Sequence, residues 1–251
     1  MDFSKSNQYT LSIRLSADGF SFYVYNPIDE ETSINLFKKV DRKKSLVSNI
    51  HAAFQSIDFI GHNFKKVNVS VQSDKVMVIP STDFSFVEAE RAFCSLFSNI
   101  AGILKYDLLH NLPLAVVYDI DTAVIDAVSQ YVSDCNIMSD VAVQIEHFSV
   151  KSRFGNNKKM YVVVSEEYIN VLCFERGRLN FFNTFRCNNN NDRVYFVMYV
   201  WKQLLYVQDK DELHLAGSFS EKQELIELIK GFVLQTTVSV EEYVELKAMT
   251  Q

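Results

Sequence analysis

The stretch MYVVVSEEYINVLCFERGRLNFFNTF, residues Met160 to Phe185, decides the fold. It reads as three β-strands, Met160–Val164, Ile169–Phe174 and Leu179–Phe185, separated by polar turns at Ser165-Glu166-Glu167 and Arg176-Gly177. Branched and aromatic residues fill the strands, where they fit a pleated surface, and the turns take the residues that tolerate reversal. The same three-strand opening stands near the amino end. Residues 8–16 and 20–26 flank Ser16-Ala17-Asp18-Gly19, in which Asp18-Gly19 readily supplies positive φ for a hairpin, and a third strand runs from Ser33 to Lys39 after Pro27.

The two openings also lead into similar continuations. After the first, Leu46, Val47, Ile50, Phe54 and Ile57 recur at three- and four-residue spacing, which predicts a helix ended by Gly61. Lys66–Gln72 and Lys75–Ile79 read as a strand pair around Ser73-Asp74, closed by Pro80. A second helix then carries Ala89, Phe93, Leu96, Phe97 and Ile100 inward. After the second opening, past the asparagine run Asn188–Asn191, a largely buried helix is expected over 192–207, with Val194, Val197, Met198, Val200, Trp201, Leu204 and Leu205 around its circumference. Leu213–Ala216 is a strand, Gly217-Ser218 a turn, and Glu221–Phe232 an amphipathic helix; Leu234–Val244 reads as one more strand or a short helix. Between the copies, Leu114–Tyr118 is a strand, Asp121 caps a helix to about Val132, and Val141–His147 is another strand. Two copies of three strands, helix, strand, helix indicate a duplicated α/β unit, each with an antiparallel meander joined by a parallel crossover strand.

Bulk properties exclude several classes of function. The 251 residues are 48% hydrophobic and 22% charged, as in ordinary globular chains. A net charge of -6 argues against a general nucleic-acid binder, which needs a basic footprint. One local exception is Lys38-Lys39-Val40-Asp41-Arg42-Lys43-Lys44, five cations in seven residues, read as a solvated loop or as a dock for an anionic partner. The start, MDFSKSNQYT, lacks a charged region followed by an apolar run, and no apolar stretch nears the roughly 18 residues that span a bilayer, so a cytoplasmic protein without membrane insertion is expected. Cys94, Cys135, Cys173 and Cys187 are scattered, without zinc spacing, and read as small buried hydrophobes. Twenty Phe and twelve Tyr exceed what a lean core needs, so Phe181, Phe182 and Phe185 either fill the core or open a protein interface.

The repeated order resembles the ribonuclease-H-like unit, and its duplication resembles the actin-like ATPase superfamily: α/β, two lobes, mixed sheets. The strand-helix-strand segment 113–150 looks most like an insert of the actin-like pilus assembly proteins, giving a first lobe over 1–112 and a second over 113–251. More narrowly, Val76-Met-Val-Ile-Pro80-Ser81-Thr-Asp-Phe and His214-Leu-Ala-Gly217-Ser-Phe resemble an uncharacterised family of Bacteroidota, the domain of unknown function numbered 3822. Members of the superfamily that bind ATP use two carboxylate-bearing strand turns around Mg²⁺ and the phosphates, with a Gly-Gly turn under the adenosine. Such a site needs backbone N–H groups from tight turns and hard oxygen ligands.

This sequence departs from that pattern at each turn. The first strand ends at Leu15-Ser16, and its acidic residue, Asp18, lies within the turn beside Gly19. The second has Ser165, Glu166 and Glu167 with no glycine, and at the adenosine turn only Ala216-Gly217 remains. The resemblance therefore implies no ATP hydrolysis, no tight nucleotide binding, no catalytic or metal-ligating residue and no cofactor. The expectation is a non-catalytic protein working through an unknown protein partner, or as a homodimer. The alternative is a divergent nucleotide-binding switch or ATPase, with ATP and Mg²⁺, in which Asp18, Glu166 or Glu167 holds the metal. Leu114–Val124 also resembles the first motif of the haloacid-dehalogenase phosphatases through Asp119 and Asp121, but a strand-end Asp and a helix N-cap explain the same residues. Of the five histidines only His214, in a predicted strand, invites a test.

Overall fold

The structure is a computed structural model, and it describes residues 1–100, 102–132, 134–239 and 244–250. The chain divides into two compact units. The first comprises Met1–Leu109, Pro113–Val143 and the end of the chain from Glu245; the second comprises His110–Leu112 and Gln144–Val244. Segment 113–143 thus counts with the first unit, whereas the sequence suggested a boundary at 112/113.

In the first unit β1 (Thr10–Leu15), β2 (Gly19–Tyr25) and β3 (Ile34–Lys39) form the antiparallel meander. Helix α1 (Leu46–Gln55) starts at the Ser45 cap, whose hydroxyl accepts from Ser48 N–H. It crosses over to β4 (Lys66–Val71), which lies parallel to β1 with Leu15 beside Val71. Helix α1 ends at Ser56, five residues before Gly61. Alternation along β1 separates two faces. Leu11, Ile13 and Leu15 join Phe22, Val69, Ile50 and Phe54 in the apolar core, while Ser12 and Arg14 stand on the opposite face and are also buried.

The chain then leaves this sheet. β5 (Val76–Pro80), β6 (Ile103–Leu108) and β7 (Leu114–Ile120) make a separate antiparallel sheet in the order β5-β7-β6. Helix α2 (Phe86–Leu96) packs on it through Ala89 and Phe93 against Met77 and Val117. Helix α3 (Thr122–Ser129), capped by Asp121, packs beside α1 and leads to β8 (Asn136–Ser139), parallel to β4. The first sheet is therefore β3-β2-β1-β4-β8.

The second unit repeats this order without interruption. β9 (Lys159–Val164), β10 (Tyr168–Glu175) and β11 (Arg178–Arg186) form its meander. Helix α5 (Asn190–Gln203), strand β12 (Glu212–Gly217), helix α6 (Lys222–Lys230) and strand β13 (Thr236–Val238) come next, in a sheet of order β11-β10-β9-β12-β13. Met160, Val162, Val171, Val197, Trp201, Leu215 and Ile229 form its core.

Several expectations need correction. The interrupting segment is β5 to β7, inside the first repeat; α3 and β8 are the counterparts of α6 and β13. Strands β4 and β5 are not a pair but belong to different sheets. Val141–His147 is not a strand: it lies within α4 (Asp140–Lys151), because Ser139 Oγ and Asp140 Oδ1 accept from Val141 N–H and start a helix, and Val141, Ile145 and Phe148 then fall on one buried face. Segment 113–150 accordingly runs strand, helix, strand, helix, and its two strands, β7 and β8, belong to different sheets. The carboxyl segment holds both a strand, β13, and a helix, α7 (Val244–Ala248); the part from Val240 to Tyr243 lies outside the described residues. Helix α5 is not wholly buried, since Tyr195 and Tyr199 face outward, and Cys94 is exposed, unlike Cys173 and Cys187.

Candidate functional site

Ligands in open α/β sheets bind beyond the carboxyl ends of parallel strands. In the first unit those ends are Leu15 of β1 and Val71 of β4, tied by Gln72 N–H to Leu15 O at 2.9 Å. The turn after β1 is closed from within. Ser16 N–H donates to Gly19 O at 3.2 Å, Ser16 Oγ donates to Gly19 O at 2.7 Å and accepts from Arg14 Nη1 at 2.8 Å, and Ser16 Oγ also meets Asp18 Oδ1. Arg14 Nη1 stands 3.5 Å from Asp18 Oδ1, with both side chains nearly buried. Asp18 therefore faces a guanidinium of its own hairpin. Gly19 does not use positive φ; it is required because a Cβ there would come within 2.3 Å of Phe37 Cζ and 2.9 Å of Lys38 O.

Beneath this turn the polar face of the sheet gathers charge. Asp140 and Glu245, both buried, belong to the same unit as Arg14. Burial, with Glu245 adding repulsion, pushes the Asp140 carboxyl up to about 8, while Arg14 pulls in the opposite direction. Asn68 Nδ2 donates to Met249 O at 2.7 Å and so fastens the end of the chain, just past α7, to this face.

In the second unit the equivalent ends are Val164 of β9 and Gly217 of β12, which lie side by side. Gly217 has φ +105°, and a Cβ there would fall 2.0 Å from Val164 O, so glycine is demanded by both conformation and space. The turn after β9 is braced by α5. Arg193, buried in the first turns of that helix, donates from Nη2 to Ser165 O at 3.2 Å and to Glu166 O at 2.6 Å, and from Nη1 to Asn190 Oδ1 at 2.8 Å. Its guanidinium lies 4.9 Å from the Phe219 ring centroid. The Glu166 carboxylate accepts from Ser220 N–H and Ser220 Oγ, each at 2.9 Å. Lys222 Nζ donates to Gly217 O at 2.9 Å, and Asn190 Nδ2 donates to Glu221 O at 3.1 Å. Glu167 is half-buried and lies 3.6 Å from Arg186.

Of the residues singled out from the sequence, Ser16, Asp18 and Gly19 thus share one hairpin, and Ser165, Glu166 and Gly217 share one cluster. Sequence reasoning missed Arg14, Arg193 and Ser220. Arg14 carries a readable signal, a charge inside the apolar strand Leu11–Leu15, whereas Arg193 and Ser220 do not, because their partners are distant in sequence. Asp119 lies 3.5 Å from Lys75 Nζ and accepts from Gly102 N–H, and Asp121 accepts from Ala123 N–H as the α3 cap. His214 stacks on Tyr161 at 4.7 Å, with Nε2 3.0 Å from Glu212 Oε2; burial holds its imidazole below the usual range against the pull of Glu212. Among the described residues no group of three or more His, Cys, Asp or Glu could hold a metal, and no helix is long and apolar enough to cross a membrane.

Comparison with known proteins places this architecture. A crystal structure from Bacteroides thetaiotaomicron VPI-5482, a protein with actin-like ATPase fold and unknown function, is 38% identical, covers 99% of this chain and 98% of its own, and superposes with a TM-score of 0.91. The type IV pilus biogenesis complex PilM-PilN matches at 8% identity over 92% of this chain and 88% of that one, TM-score 0.60. The ethanolamine utilization protein EutJ from Carboxydothermus hydrogenoformans matches at 8% identity over 96% and 88%, TM-score 0.50. The last two likenesses are of fold alone. No curated protein sequence matches. The profile of the family described as "Protein of unknown function (DUF3822)" matches residues 1–235, and the chain belongs to that family, with the actin-like ATPase fold.

Proposed function

We propose that this protein is a non-catalytic member of the actin-like fold that works through protein contacts. The observation that carries the reading is the occupancy of the strand-end acids by the chain's own groups. Asp18 faces Arg14 and Ser16 within its hairpin, and Glu166 receives two bonds from Ser220. A metal or phosphate at either turn would have to displace a nearly buried ion pair or a closed side-chain bridge, and breaking buried charge pairs is costly. The turn at Ser165-Glu166-Glu167 also has no glycine for close backbone approach, and two of its carbonyls are held by Arg193.

Thermal unfolding with ATP, ADP or GTP, with and without Mg²⁺, tests this reading. A ligand at about 100 times its Kd adds about 2.7 kcal/mol to stability, a shift readily seen. No shift is expected; a Mg²⁺-dependent rise that disappears in Asp18→Ala would show that the acid still serves a metal.

A further inference from the structure

We propose that the outer edge of β3 is a self-complementary interface through which two copies of this chain pair by their first sheets, antiparallel across a two-fold axis at Phe37. β3 ends the five-stranded order β3-β2-β1-β4-β8, so one side of its backbone faces no described strand of the sheet. Such an edge is a template for another chain unless it is blocked. Phe37, on the strand itself, is 43% exposed.

Charge along the edge chooses the occupant. The acidic turn Asp29-Glu30-Glu31 leads into β3, and Lys38 to Lys44 leaves it. The run 38–44 holds five of the chain's 25 Lys and Arg, and 30 of the 31 Asp and Glu lie outside it. A broad polyanion would meet repulsion beyond about one Debye length, ~8 Å, from the patch. A second β3 running antiparallel brings the opposite ends together. Residues directly opposite in an antiparallel pair point to one face, and a two-fold axis normal to the sheet preserves faces. With Phe37 across from its symmetry mate, Asn35 meets Lys39 and Leu36 meets Lys38, so no lysine opposes a lysine. Beyond the strand, Glu31 lies toward Lys43 of the second copy and Glu30 toward its Lys44. The loop is fixed for this role, since Asn49 accepts from Asp41 N–H at 2.8 Å and donates to Asp41 O at 3.0 Å and Ser45 O at 2.9 Å.

This inference supplies one partner for the protein-contact reading, and its test is independent of the nucleotide titrations. Sedimentation equilibrium of the full chain at about 100 μM should show a dimer, since a short edge-to-edge interface belongs in the micromolar range. Lys43→Glu and Glu31→Lys should each weaken it at least ~10-fold, and an equimolar mixture of the two variants should recover the wild-type dimer, because every opposed pair is then of opposite sign. Phe37→Lys, an exposed change that places like charges on the axis, should be monomeric with an unchanged circular dichroism spectrum. A monomeric wild type, a dimer indifferent to the single changes, or a mixture no more associated than its components would each overturn the proposal.

Discussion

Replacing Arg193 by methionine keeps much of the length of the side chain and deletes the charged donors that close the second unit's strand-end cluster. In the native chain the guanidinium satisfies Asn190 Oδ1, Ser165 O and Glu166 O at 2.8, 3.2 and 2.6 Å. A hydrogen bond involving a charged group contributes about 1.5–3 kcal/mol, and the terms are not additive when one side chain makes them all. The apolar stem of methionine can still cover Phe219, which returns part of the loss. The net destabilisation is about 3 kcal/mol, roughly 10²-fold in the unfolding equilibrium. Trp201, the single tryptophan, sits in the core of the same unit on the same helix, so its fluorescence in a urea titration reads the second unit directly. The expected result is a lower midpoint at unchanged slope. A loss below about 1 kcal/mol would mean that the carbonyls of Ser165 and Glu166 find other donors at little cost, and would refute the view that Arg193 holds the turn.

Two further substitutions probe backbone and charge. Gly217→Ala combines φ +105° with a 2.0 Å approach to Val164 O and should destabilise the second unit by more than about 2 kcal/mol, again by Trp201 fluorescence, whereas Gly61→Ala, where nothing lies within 4 Å, should be near neutral. Asp140 has its carboxyl near 8 in the folded chain against 3.8 when free, so the native state binds the extra proton between those values and stability falls as pH rises through them, by up to about 1.4 kcal/mol per pH unit from this group. Asp140→Asn should remove that slope: urea midpoints followed by circular dichroism should gain on wild type from pH 5 to pH 8, and parallel profiles would contradict the burial of that charge.

The meanders were legible because each strand carries its own alternation and each turn its own polar residues. Leu11, Ile13 and Leu15 announce a core face, and Ser165-Glu166-Glu167 and Arg176-Gly177 announce reversals. The insert was misplaced because β6 and β8 are made by their neighbours. Ile103–Leu108 has no clean alternation and stands through pairing with β7, and the four residues Asn136–Ser139 stand through a parallel pairing with β4. Without β8, the apolar residues Val141, Val143 and Ile145 read as a strand, although the Ser139 and Asp140 side chains begin a helix there. At the candidate site the acids Asp18 and Glu166 could be read from position, but not their partners. Arg193 meets Ser165 and Glu166 from 28 and 27 residues away, and Ser220 meets Glu166 from 54. Such long-range closure leaves no local pattern.

Whether the strand-end acids serve the fold or a ligand is decided most directly by isothermal titration of Mg-ATP into the full chain. No saturable heat is expected at concentrations up to about 1 mM, a bound that corresponds to about 4 kcal/mol of binding free energy. A saturable, Mg²⁺-dependent isotherm that is abolished by Asp18→Ala or Glu166→Gln would contradict it.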